Sequence, residues 1–123
     1  MPTKNRVLIA GGSFETLQAM QSLLADARDL AIETHLLTGR GGDPLLAGVA
    51  LPGLLVLHVD GDSTAELDAL AARPVADRPP LIVVGAPDDA AGMRAAMRAG
   101  ARDFLPEPVT QQELRAAIGR VTA

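Results

Sequence analysis

The chain contains no cysteine, tryptophan or tyrosine, and Phe14 and Phe104 are its only phenylalanines. Without cysteine there can be no disulfide, no thiolate zinc site and no cysteine nucleophile. With so few aromatic rings there is no platform on which single-stranded bases could stack. Basic charge is also scarce: 11 Lys and Arg stand against 15 Asp and Glu, a net charge of −4. A binder of phosphate backbones is normally basic, so nucleic acid is not an expected partner. Long apolar runs are missing too. The greasiest region, Leu45–Val59, is broken by Pro52-Gly53 and falls short of the roughly 20 residues a membrane span needs. The opening MPTKNRVLIAGG has too short an apolar stretch for a signal-peptide core. The expectation is a soluble cytoplasmic domain with no membrane insertion.

What is present suits one domain. The 123 residues are 48% hydrophobic, enough to bury a core built from Leu, Val, Ile, Ala and Met. Charge is uneven, because residues 94–123 carry 5 basic and 3 acidic side chains on an otherwise acidic chain. Solvated helix faces account for this more simply than a steering field.

Short apolar runs alternate with segments of helical period. Val7–Ala10, Leu30–Leu37, Leu54–Val59, Leu81–Val84 and Asp103–Leu105 read as strands. Ser13 is placed to cap a helix with apolar positions Phe14, Leu17, Met20 and Leu24. Asp43-Pro44 opens a short second helix. Ser63-Thr64-Ala65-Glu66 has capping-box spacing ahead of Leu67, Leu70 and Ala71. Asp88-Asp89 starts a helix that passes through Met93 and Met97 and stops at Gly100. Thr110–Glu113 is a second capping box, followed by the stripe Leu114, Ala117, Ile118 and Val121. Five such β-α units predict one doubly wound, five-stranded parallel sheet, with helices on both faces. Functional groups of such sheets gather at the C-terminal strand ends. The candidates there are Gly11-Gly12, His58 to Asp62, Gly85 and Pro106-Glu107-Pro108.

The stretch PPLIVVGAPDDAAGMRAAMRAGARDFLPEPVTQQELRAAIGRV, with the β-α pattern before it, resembles a receiver domain of bacterial response regulators (CheY-like, strand order 2-1-3-4-5) across residues 6–121. A receiver has acids after strand one that hold Mg²⁺ and an aspartate ending strand three that accepts phosphate. It also has a hydroxyl after strand four and a lysine after strand five, which stabilise phosphoryl oxygens. At the matching positions this chain has Gly11 and Gly12, His58, Gly85 and Glu107. The resemblance therefore implies a pseudo-receiver with a degenerate phosphorylation pocket, no catalysis, no metal and no cofactor. It also implies that the Glu107–Pro108 bond is cis. The phrases AGARDFLPEPV and VDGDSTAELDAL are similar to the N-terminal domains of the CpaE/TadZ family of Tad (Flp) pilus-assembly proteins. That likeness implies a homodimer, partners in pilus assembly or polar localisation, and a ParA/MinD-like ATPase domain beyond residue 123. Residues 1–123 would then be the N-terminal part of a longer protein, recruited to the cell pole. The alternative is a divergent response-regulator receiver that controls a signalling or DNA-binding output without aspartyl phosphorylation. An enzyme of flavodoxin-like fold is disfavoured, since no nucleophile–base pair is visible.

Each candidate also has a plainer reading. His58 as a phosphate acceptor or metal ligand lacks converging partners, so a neutral imidazole bonded to a loop carbonyl is favoured. Asp60 and Asp62 suit a helix entry better than a cation. The glycine loops lack the lysine of a nucleotide loop. On the helix Asp88–Ala99, Met93 and Met97 with Arg94 and Arg98 fit either core packing or an interface. In receivers this helix face forms dimers through basic and acidic residues, for which Arg94, Arg98, Asp103, Glu107 and Glu113 could serve.

Overall fold

A computed structural model describes residues 5–37, 43–45, 50–60 and 64–122. Five parallel strands form one sheet in the order β2-β1-β3-β4-β5. They are β1 (Asn5–Gly11), β2 (Leu30–Leu36), β3 (Leu54–His58), β4 (Leu81–Gly85) and β5 (Asp103–Pro106). Among the described residues four α-helices accompany them: α1 (Phe14–Leu23), α2 (Ala65–Ala72), α3 (Ala90–Arg98) and α4 (Gln111–Thr122). This is the doubly wound sheet expected from the sequence.

The continuous apolar runs are explained by burial on both faces. Side chains alternate along each strand, so Val7, Ile9, Leu54, Val56, Ile82 and Val84 join one core layer with Leu17, Met20, Leu114 and Ile118. Leu8, Ala10, Leu55, Leu57, Leu81 and Val83 face the opposite layer with Leu67, Leu70, Ala95, Ala96 and Ala99. The small residues Ala95 and Ala96 of α3 serve that second layer.

Local signals set the helix starts. The Ser13 hydroxyl accepts from the Thr16 amide at 3.3 Å, and Asp89 Oδ1 accepts from the Gly92 amide at 2.9 Å. Thr110 and Glu113 form the reciprocal capping box, with the Glu113 amide donating to Thr110 Oγ1 and the Thr110 amide to Glu113 Oε1. Two expectations fail or go unmet. Phe14 is 62% exposed. The first turn of α1 stands at the C-terminal edge of the sheet, so the inward stripe starts at Leu17. Of the short helix opened by Asp43-Pro44, only residues 43–45 are described. Asp43 Oδ1 there accepts from the Leu45 amide, and Leu45 is buried. Ser63 and Asp62 also lie outside the described residues.

Candidate functional site

The strand order reverses between β1 and β3, which opens a crevice at their C-terminal ends. Parallel register brings the ends of β1, β3, β4 and β5 together there. Ala10 pairs with Leu57, His58 with Val84, and Gly85 with Pro106. The β5–α4 loop is held to the sheet by the Glu107 amide, which donates to the Gly85 carbonyl at 2.9 Å. The Glu107–Pro108 peptide bond is cis. Gly11, His58, Gly85 and Glu107 thus surround one crevice, and Gly12 lies just outside it, its Cβ direction meeting only the Leu37 carbonyl at 3.9 Å.

His58 fills the centre. Its side chain is 6% exposed, and its Nε2 is bonded to the Glu107 carboxylate. The expected loop carbonyl is therefore not the partner. A carboxylate from the β5–α4 loop takes that place, at the position that the resemblance matches to a receiver's lysine. On the other ring edge, Nδ1 has no hydrogen-bond partner among the described residues, and Asp60 Oδ1 stands 3.9 Å away. An unmet buried polar atom costs about 1–3 kcal/mol.

The glycines are enclosed to different degrees. A Cβ at Gly11 would lie 3.0 Å from His58 Cβ, and one at Gly85 would lie 2.9 Å from Val59 Cγ2 and 3.2 Å from Phe104 Cζ. None of these glycines needs a left-handed backbone, since only Gly100 has positive φ among the described residues. The space that a hydroxyl side chain would use after β4 is already taken by Val59 and Phe104. Sequence reasoning did not single out these two residues. No residue-type signal marks them, because their role comes from closing on a glycine.

Among the described residues, those at the crevice do not fit Mg²⁺. Asp60 and Glu107 address the two ring nitrogens of His58, whose directions diverge, so their oxygens cannot converge on one ion. Among the described residues no group of three or more His, Cys, Asp or Glu side chains could hold a metal.

Beside the crevice, α1 and the β5–α4 loop border a groove of about 540 Å³ whose apolar lining includes Met20, Leu23, Val84 and Val109. Glu15 and Glu107 also line it.

The residues expected at an interface are spread over α3, β5 and α4. Met97 is 76% exposed and Met93 is also exposed, one helical turn away. Arg98 lies 3.8 Å from Asp68, and Asp103 pairs with Arg120 at 2.7 Å. Glu113 is used in its capping box. Arg94 has no ion-pair partner among the described residues.

A sheet of this order, with its crevice ringed by Gly11, His58, Gly85 and Glu107, has the CheY-like receiver fold. Neither a family model nor a curated protein matches the chain. Solved structures do match. A response regulator receiver protein from Burkholderia phymatum is 23% identical with a TM-score of 0.75, covering 97% of this chain and 95% of its own. Two similar structures are described as pilus-assembly proteins. A putative pilus assembly protein (cpaE) from Burkholderia thailandensis is 24% identical with a TM-score of 0.74, covering 95% of this chain and 97% of that one. A putative pilus assembly-related protein from Burkholderia pseudomallei is 22% identical, also with a TM-score of 0.74, covering 99% and 92%. At these identities the likeness is one of fold.

Proposed function

We propose that this is a pseudo-receiver: a domain of receiver fold that takes no phosphate and works by protein–protein contact in pilus assembly. One observation carries the reading. The crevice that would hold phosphoryl chemistry is closed by its own side chains, with His58 tied to Glu107 and Val59 and Phe104 packed against Gly85. Such a domain keeps the fold as a scaffold and offers its outer faces to partners. The assembly context is supported by the pilus-assembly descriptions of similar folds. The contact surface assigned here is the α3 face, where Met93 and Met97 are exposed and Arg94 has no ion-pair partner among the described residues. A second copy would meet it, with Arg98, Asp103, Glu107 and Glu113 around the contact. The dimer would position an ATPase domain of ParA/MinD type, attached after residue 123, at the cell pole.

The assembly half of the reading is tested by light scattering on wild type and Met97→Glu. The exposed site tolerates the charge in the monomer, whereas a packed contact would desolvate it. Wild type is expected to be dimeric and the variant monomeric, with unchanged circular dichroism. A wild type that stays monomeric at high concentration would remove the α3 dimer.

A second reading, a divergent receiver governing a signalling output without aspartyl phosphorylation, is supported by the likeness to a response regulator receiver. The two readings part on the sequence that follows residue 123 in the full gene. An ATPase domain there favours the first, and a DNA-binding domain the second.

A further inference from the structure

We infer that the outer edge of β2 pairs antiparallel with the β2 edge of a second copy of this chain, about a two-fold axis at Thr34. β2 ends the sheet, and it is joined to β1 without a bulge along its whole length. Its main chain alternates in direction. The Asn5 amide donates to the Asp29 carbonyl and the Leu37 amide to the Gly11 carbonyl. Odd-numbered positions therefore address β1, and Ile32, Thr34 and Leu36 direct their N–H and C=O groups away from the sheet. Among the described residues nothing bonds to these outward groups. The devices that usually guard an edge are missing, since Leu30–Leu36 has no proline, no lysine and no bulge. Its one carboxylate, Glu33, is drawn back over β1 by Arg6 at 3.2 Å.

Free main-chain groups call for an extended strand as occupant, and the side chains of β2 select β2 itself. With the outward groups on even positions, an antiparallel two-fold pairing must set even residues opposite even ones. Centred at Glu33, it would place two carboxylates face to face, which destabilises a pair. Centred at Thr34, it places Glu33 opposite the partner's His35, so a carboxylate meets an imidazole. His35 is already positioned, because its Nδ1 donates to the Pro44 carbonyl at 3.0 Å. The same register sets Thr34 against its own counterpart and Ile32 against the partner's Leu36, both favourable cross-strand pairs. Leu36 is 39% exposed. Ile32 lines, with Leu24 and Leu30, an apolar groove of about 360 Å³ beside α1. Leu36 lies on the sheet face of Ile32, so pairing carries it onto the partner's groove and buries both residues. This inference rests on β2 alone and not on the α3 contact or the pilus context.

The test uses Met97→Glu, which removes the α3 contact and leaves β2 untouched, so the two interfaces are read separately. A pairing this short is weak, so sedimentation equilibrium is run up to roughly 1 mM protein. The mass should rise with concentration from monomer toward dimer. Hydrogen exchange at the Ile32, Thr34 and Leu36 amides should slow in step, while the Glu33 and His35 amides, already bonded to β1, should not change. Adding Thr34→Pro should hold the chain monomeric, since it removes an outward N–H and no bond to β1. Leu36→Lys, an exposed edge charge, should do the same without altering the backbone. A Met97→Glu chain that stays monomeric throughout would overturn the inference and leave the edge to a strand of another protein. A dimer that survives both Thr34→Pro and Leu36→Lys, or forms with no slowing at Ile32, Thr34 and Leu36, would overturn it as well.

Discussion

Substitutions at Gly85 and at the His58–Glu107 pair separate a closed pocket from one that has merely lost side chains. Threonine at Gly85 improves strand propensity by at most about 1 kcal/mol. Its Cβ would nevertheless fall 2.9 Å from Val59 Cγ2, and overpacking of this kind costs about 1–3 kcal/mol. Gly85→Thr should therefore destabilise the domain, and Val59→Ala in the same chain should cost less than the two single changes added together. Urea denaturation measures both, and a neutral Gly85→Thr would show that the pocket is open. The His58 pair should be asymmetric. Glu107→Ala strands a buried imidazole nitrogen and should cost about 1–3 kcal/mol. His58→Leu removes the buried polar group and leaves a carboxylate that water can reach, so it should be close to neutral. Equal losses in the two variants would contradict the contacts described.

At the scale of elements, α3 gives the sharpest expectation. Its inward face is Ala95 and Ala96, continued by the C-cap Ala99, while Met97 points outward. Ala96→Leu should overpack the core and cost about 1–3 kcal/mol, whereas Met97→Glu should leave thermal stability nearly unchanged. Asp89→Ala should cost about 1 kcal/mol through the lost cap on the Gly92 amide. Thermal unfolding followed by circular dichroism would rank the three. The strands were legible in the sequence because each is a short apolar run buried on both sheet faces, as Leu54–His58 is throughout its length. The caps at Ser13, Asp89 and Thr110 were legible because side-chain oxygens at fixed offsets act locally. Phe14 misled because periodicity does not say where the supporting sheet stops. The positions of the crevice were legible from the strand ends alone. Its contents were not, since the meeting of His58 with Glu107, 49 residues away, and of Gly85 with Val59 and Phe104 arises only when the strands are in register.

For the whole molecule, the two-faced sheet fixes the crevice at the reversal of strand order, and on the proposed reading the described residues there would oppose phosphoryl chemistry in three ways. Carboxylates address the imidazole rather than a common ion, the hydroxyl position is packed with Val59 and Phe104, and Glu107 brings negative charge where an incoming dianion needs a cation. Replacing His58 by Asp alone leaves the second and third obstacles in place. That variant should take no label from acetyl phosphate, as intact mass would record. The central claim is tested most directly by amide NMR of the wild-type domain before and after adding Mg²⁺ with beryllium fluoride. The account predicts unchanged spectra. Shifts clustered at Gly11, His58, Gly85 and Glu107 would contradict it.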